Sequence, residues 1–161
     1  MQTIKTFGVI GTGIIGAGWA ARALARGLNV LAFDPGVDAQ DRLRENLAQV
    51  WPVLQRTGLF PGASVDRLRF CDSLEEVALG AQFIQESAPE RIELKTTLHA
   101  QIDAAAPADV LIASSTSGLL PSEFQSQCAH PGRVMVGHPF NPVYLLPLVE
   151  VLGGEQTDAD N

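Results

Sequence analysis

Two titratable side chains stand in an otherwise apolar segment, GHPFNPVYLLPLVEV at residues 137–151. His138 lies between a glycine and a proline, and Glu150 follows twelve residues later. A carboxylate in such a run is costly to bury unpaired, so it calls for a cationic or hydrogen-bonding partner, and His138 is the nearest candidate. An imidazole held by a carboxylate can act as a general base near neutral pH. A run of hydroxyls, Ser114, Ser115, Thr116 and Ser117, precedes this segment. On residue type alone, the run reads equally as a polar turn and a lone histidine as a satisfied core residue. His99 and His130 have no comparable context and are expected at the surface.

A third feature gives the other two a setting. VIGTGIIGAG supplies Gly11, Gly13 and Gly16 in the GxGxxG spacing, and Asp34 follows Gly16 by eighteen residues. An ordinary glycine-rich turn has the same letters, but here an apolar run precedes the loop and a helical pattern follows it. In that context Gly11 permits a tight turn, Gly13 lets the backbone approach a pyrophosphate, and Gly16 allows close helix–strand packing. Free N–H groups at the helix start attract phosphate. Asp34 suits ribose hydroxyls and repels a 2′-phosphate, which favours NAD over NADP as cofactor.

The elements that must position these residues are legible as alternating runs. TFGVIG, LNVLAFD, RLRF, AQFIQES, DVLIASS and RVMVG read as strands. IIGAGWAARALARG, residues 38–56, SLEEVALG opened by Ser73, and PERIELKTTLHAQIDAA with Pro89 near its start read as helices. Leu43, Leu47, Val50 and Leu54 share one face of the second helix, where Pro52 is expected to kink or divide it. YLLPLVEV is expected as an edge strand, because Pro147 cannot donate to a ladder. Repeated β–α units imply an α/β fold with a doubly wound, mainly parallel sheet, a Rossmann architecture, over residues 1–161. In such sheets ligands lie beyond the carboxyl ends of the strands. Those ends are Gly11, Asp34, the QES at 85–87, the SSTS at 114–117 and the GH at 137–138. The hydroxyl run and the imidazole therefore share a rim with the glycine loop.

Composition narrows the partners. The 161 residues are 46% hydrophobic and 18% charged, which fits one globular domain. The net charge is −7, and residues 81–161 hold three basic against ten acidic groups. That sign argues against nucleic acid and against an anionic membrane surface. No apolar run reaches membrane-spanning length and no basic-then-apolar leader opens the chain. Cys71 and Cys128 match no metal or redox spacing, so no metal is expected and a reducing cytoplasm is the expected location.

Four blocks in order, GVIGTGIIGAGWA, QESAPERIELK, SSTSGLLPS and GHPFNPVYLLPLVEV, resemble the N-terminal domain of the L-3-hydroxyacyl-CoA dehydrogenase superfamily, from about residue 6 to residue 155. The last three blocks look most like the branch acting on L-carnitine, with the branch acting on L-gulonate nearest to it. The resemblance implies that His138 takes the hydroxyl proton of a small substrate while hydride passes to NAD, and that Glu150 orients His138. It implies that Ser117 contacts the substrate oxygen and nicotinamide, that Asn141 lies on the nicotinamide side, and that Glu90 and Lys95 lie near the cofactor ribose. Tyr144 falls in the substrate-side segment. Members continue past the point matched by Asn161 into a helical domain that completes the substrate pocket and forms a homodimer. That domain is absent from these residues, so the chain by itself is expected to bind cofactor without full turnover. A non-catalytic nucleotide-binding module is the alternative, and the presence of Ser117, His138 and Glu150 weighs against it.

Overall fold

A computed structural model of the chain describes residues 3–160; Met1, Gln2 and Asn161 lie outside the described residues. Its strands are β1 (Thr6–Ile10), β2 (Asn29–Phe33), β3 (Leu68–Phe70), β4 (Phe83–Glu86), β5 (Leu111–Ser114), β6 (Val134–Pro139) and β7 (Val149–Gly153). Its helices are α1 (Ile14–Ala25), α2 (Ala39–Thr57), α3 (Leu74–Gly80), α4 (Ile92–Ala105) and the single turn α5 (Pro121–Phe124). The strands form one sheet in the order β3-β2-β1-β4-β5-β6-β7. β1 to β6 pair in parallel, and β7 adds to β6 antiparallel.

The apolar runs explain this arrangement. A parallel sheet is covered on both faces, so its strands need apolar side chains in both directions. On one face Phe7, Val9, Val30 and Ala32 pack with Ala20, Ala21 and Leu24 of α1 and Leu43, Leu47 and Leu54 of α2. On the other, Ile84, Ile112, Val134 and Val136 pack with Leu74, Val77, Ile102 and Phe124. The sheet is therefore doubly wound, with a switch point between β1 and β4, where the chain has gone outward to β3 and returned.

Three elements differ from expectation. Helix α2 runs without interruption through Pro52. The buried row Leu43, Leu47 and Leu54 holds both halves against α1, which offsets the hydrogen bond that Pro52 lacks. Helix α4 starts at Ile92, after Pro89. Pro89 stays outside it as part of a turn in which the Arg91 N–H donates to the Pro89 carbonyl. Only the second half of YLLPLVEV is a strand. The Leu145 and Leu146 N–H groups both donate to the Pro142 carbonyl at 3.0 Å in a tight turn, and β7 begins after Pro147, where backbone donors resume.

His99 corrects a fourth expectation. It lies in the core, 0% exposed, while His130 is at the surface. Its Nδ1 donates to the Lys95 carbonyl at 2.8 Å, its ring packs on Phe124 at 4.5 Å, and its Nε2 is unpaired, 3.7 Å from Glu86 Oε2. A helix face that carries Lys95, His99, Ile102 and Asp103 inward has no apolar stripe to betray it. Burial pushes the His99 imidazole below its ordinary pKa, against the pull of Glu86. The fold thus holds it neutral, whereas the unfolded chain protonates it below about pH 6.5. Stability contributed by the neutral ring is therefore lost as pH falls below that value. Going from about pH 7 to about pH 5.5, the native protein should lose about 1 kcal/mol more than His99→Phe. Denaturant unfolding of both at the two pH values measures this; equal losses would contradict a neutral buried His99.

Candidate active site

The rim is built from the carboxyl ends of the parallel strands. After β1 the chain turns at Gly11, whose φ of +87° lies in the left-handed region that glycine adopts without strain. The Gly11 N–H donates to the Phe33 carbonyl, which joins the loop to the end of β2. A Cβ on Gly16 would overlap the Gly11 carbonyl oxygen, whereas one on Gly13 would meet nothing within 4 Å. Gly16 is thus a packing glycine, and Gly13 faces open space. Gly13 caps α1 with no side-chain hydrogen bond, so the first N–H groups of α1 point unshielded toward the crevice. Asp34 closes the loop from the other side. Its Oδ2 accepts from Thr12 N at 2.7 Å and Thr12 Oγ1 at 3.2 Å, and its Oδ1 accepts from Gly36 N at 2.8 Å. A glycine cradle, a bare helix start and a carboxylate beside them fit a dinucleotide: phosphates over α1, an adenosine ribose at Asp34.

His138 and Glu150 meet as a cross-strand pair of β6 and β7. His138 Nδ1 donates to Glu150 Oε2 at 2.8 Å, which leaves Nε2 with its lone pair available as a base. The pairing agrees with the sequence argument, but the premise of that argument does not hold. All five residues of β7 are exposed, and the Glu150 side chain is 65% accessible. The carboxylate lies on an open face, and its partner is fixed by strand register instead of by the need to compensate a buried charge. His138 and Glu150 line a hollow of about 340 Å³ with Thr116, Ser117, Val136 and Leu152. Ser117 is thus brought to the dyad. Asn141 is directed elsewhere, into a small cleft with Ile14, Ala17 and Gly18 of α1. A close approach allows this, since a Cβ on Gly18 would press on Val143.

The turn carrying Ser117 is clamped by Glu90. Its Oε1 accepts from Thr116 Oγ1 at 2.5 Å, Ser117 N at 3.1 Å and Gly118 N at 3.3 Å. Burial alone would raise the Glu90 pKa, but these donors and the Lys95 ammonium outweigh it and hold the carboxyl below the usual range. Lys95, which the resemblance places near the cofactor ribose, lies beneath this turn. It is 1% exposed, donates to Glu86 Oε1 at 2.7 Å and to the Ala88 carbonyl at 3.1 Å, and lies 3.7 Å from Glu90 Oε2. With its ammonium enclosed below the rim, it acts on the site through the two glutamates.

Glu86, Ser114 and Thr116, which the sequence places at strand ends on the rim without a role, complete this network. The 0%-exposed Glu86 also accepts from Ser114 Oγ at 2.6 Å and from Ala88 N at 2.5 Å. The one available signal was a glutamate ending an apolar strand directly before a helix that carries a lysine. Both cysteines are free, and the Cys128 thiol is pushed up to about 12, chiefly by burial, so it remains a protonated thiol at neutral pH. Among the described residues no helix is long and apolar enough to cross a membrane, and no group of three or more His, Cys, Asp or Glu is arranged to hold a metal.

Comparison with known proteins is consistent with this geometry. Residues 6–161 match the model of the 3-hydroxyacyl-CoA dehydrogenase NAD-binding domain. The L-carnitine dehydrogenase of Pseudomonas aeruginosa is 62% identical over 98% of this chain and 49% of its own length. The chain thus spans about half the length of such curated relatives. Among solved structures, 3-hydroxybutyryl-CoA dehydrogenase from Escherichia coli matches with a TM-score of 0.89 at 31% identity, over 99% of this chain and 34% of that one. A 5-formyl-3-hydroxy-2-methylpyridine 4-carboxylic acid 5-dehydrogenase, described as an NAD+-dependent dismutase, matches with a TM-score of 0.87 at 35% identity, over 98% of this chain and 52% of that one.

Two glycines should separate folding from binding. Gly16→Ala should destabilise the fold by about 1–3 kcal/mol or more, the range for overpacking. Gly13→Ala should leave the thermal midpoint nearly unchanged yet weaken NAD by on the order of 10-fold, because its new methyl group enters the space a pyrophosphate needs. Thermal unfolding together with NAD titration distinguishes the two, and an unaffected NAD affinity in Gly13→Ala would place the phosphates elsewhere. Asp34 should set cofactor choice, with NAD binding better than NADP by about 10-fold or more and Asp34→Ser narrowing the gap. Equal affinities for the two cofactors in the unmodified chain would remove that role.

Proposed function

Because this chain belongs to the 3-hydroxyacyl-CoA dehydrogenase family, through its NAD-binding domain, we propose that it is the cofactor half of an enzyme that oxidises the 3-hydroxyl of L-carnitine to 3-dehydrocarnitine. NAD, when bound, supplies the acceptor for the hydride leaving C3 of the substrate. His138 accepts the hydroxyl proton on Nε2, since Nδ1 is committed to Glu150. Glu150 keeps the ring in that tautomer and stabilises the imidazolium once the proton has arrived. Ser117, held by Glu90 through its N–H, presents its hydroxyl to the same hollow and positions the substrate oxygen. Asn141, next to the start of α1, serves the nicotinamide side.

The observation that carries this reading is the 2.8 Å His138–Glu150 contact at a hollow shared with Ser117, on the rim that holds the glycine loop. A pure nucleotide-binding module needs no such base. The choice of L-carnitine rests on the named relatives and on charge. An acyl-CoA site needs exposed cationic groups for its phosphates, and residues 35–72 contain no lysine. Residues 81–161 hold ten acidic against three basic groups, a balance suited to a cationic substrate head.

The test is NADH formation from L-carnitine, L-gulonate and a short 3-hydroxyacyl-CoA. It uses this chain fused to the C-terminal half of the Pseudomonas aeruginosa relative, since that relative is twice as long. The highest kcat/KM should be with L-carnitine; a higher value for either other substrate would overturn the substrate assignment. In the same fusion His138→Ala should lower kcat by on the order of 10²–10⁴ while NAD affinity changes little. Near-normal turnover in that variant, where chemistry limits the rate, would remove His138 from the mechanism.

A further inference from the structure

Between the glycine loop and the Ser117 turn lies a hydrogen-bond chain that neither the dyad nor the Glu86–Lys95 network uses. Ser115 Oγ receives Trp19 Nε1 at 3.2 Å and Gln85 Nε2 at 2.8 Å, and it stands 2.9 Å from Ser87 Oγ. The direction of each bond follows from the chemistry of the groups. An indole N–H only donates. The Gln85 amide is oriented by its second contact at 2.9 Å, the Gly137 carbonyl oxygen, which only accepts, so the nitrogen must face both it and Ser115. A serine oxygen has two acceptor positions and one proton. Both acceptor positions of Ser115 are filled by obligate donors, and its proton is left to bond Ser87. Ser87 therefore accepts from Ser115, and its own proton has no partner among the described residues.

The fold tells where that proton is presented. Ser87 follows the last residue of β4, at the switch point of the sheet. It abuts the glycine loop, since a Cβ on Gly11 would sit 2.7 Å from the Ser87 carbonyl carbon and oxygen. Its N–H is tied to the Ile10 carbonyl at 2.7 Å, so the backbone is fixed there. Asp34 lies on the opposite side of the loop, beyond β2. A dinucleotide with its adenosine ribose at Asp34 and its phosphates over α1 carries its other half across β4. We propose that Ser87 is a cofactor-positioning donor, whose hydroxyl, oriented by the Trp19–Gln85–Ser115 chain, donates to an oxygen on the nicotinamide half of NAD. This rests on the reading of the crevice as an NAD site.

The test is titration of the chain with NAD and separately with ADP, which lacks the nicotinamide half. In Ser87→Ala, NAD should bind about 3- to 10-fold more weakly, the usual net worth of one hydrogen bond, while ADP affinity stays as in the unmodified chain. Ser87→Thr, which keeps a hydroxyl, should retain NAD affinity to within about twofold. Unchanged NAD affinity in Ser87→Ala, an equal loss for NAD and ADP, or alanine and threonine variants that bind NAD alike would each overturn the proposal. If the unmodified chain bound ADP but gained nothing from the nicotinamide half, the cofactor reading would fall first.

Discussion

The carboxylate of Glu86 must not be left alone in the interior, and much of the rim is arranged around that requirement. An isolated buried charge is far too costly to persist, so it is tolerated only with full compensation. Here the compensation comes from three places: the Lys95 ammonium on α4, the Ser114 hydroxyl at the end of β5, and the Ala88 N–H in the turn after β4. Each donor fixes a different part of the crevice. Ser114 anchors the turn that presents Ser117, Ala88 shapes the turn that leads to Glu90, and Lys95 lies between Glu86 and Glu90. Removing one partner of such a pair typically costs about 3–5 kcal/mol, so the ends of β4 and β5 are held together with little freedom.

Strand alternation separates two polar systems that share the same few residues. Successive side chains on a strand point to opposite faces. Glu86 and Ser114 point toward α4 and meet Lys95, while Gln85 and Ser115 point toward α1 and meet Trp19. One system carries charge and clamps a turn. The other is neutral and orders hydroxyl protons. The five consecutive residues 113–117 thus supply a buried methyl group, a donor to the Glu86 carboxylate, a hydroxyl relay, a bond to Glu90 and a residue in the hollow shared with His138, with the environment changing at each step.

Local features were legible in the sequence, and long-range polar ones were not. Gly11, Gly13 and Gly16 with Asp34 follow a spacing rule whose geometry is settled within one β–α–β unit, so their placement could be read directly. The doubly wound sheet followed from apolar runs of strand length. His138 and Glu150 were paired correctly on an incorrect premise, because a string of apolar letters does not say whether an edge strand is covered. His99 was misread since α4 turns charged and aromatic-like side chains inward, a pattern without amphipathic contrast. The sequence places Glu86 at a strand end but not its role, because its partners Lys95 and Ser114 lie 9 and 28 residues away on two other elements, and nothing in the letters between them records that contact. The resemblance places Lys95 near the cofactor ribose, but its depth depends on that same carboxylate and is not written in the letters around it.

The ladder between β6 and β7 pairs His138 directly with Glu150, Gly137 with Val151 and Pro139 with Val149. An edge ladder of this kind behaves as a vernier. A slip of one position turns every β7 side chain to the opposite face and presents Val149 or Val151 to the imidazole in place of the carboxylate. A slip of two restores the face but displaces Glu150 by about 6–7 Å along the strand, beyond reach of Nδ1. The connection over residues 140–148 is therefore a gauge block: its span goes with the register that brings the His138 imidazole to the Glu150 carboxylate, while Asn141 and Val143 within it are held by their own contacts with α1.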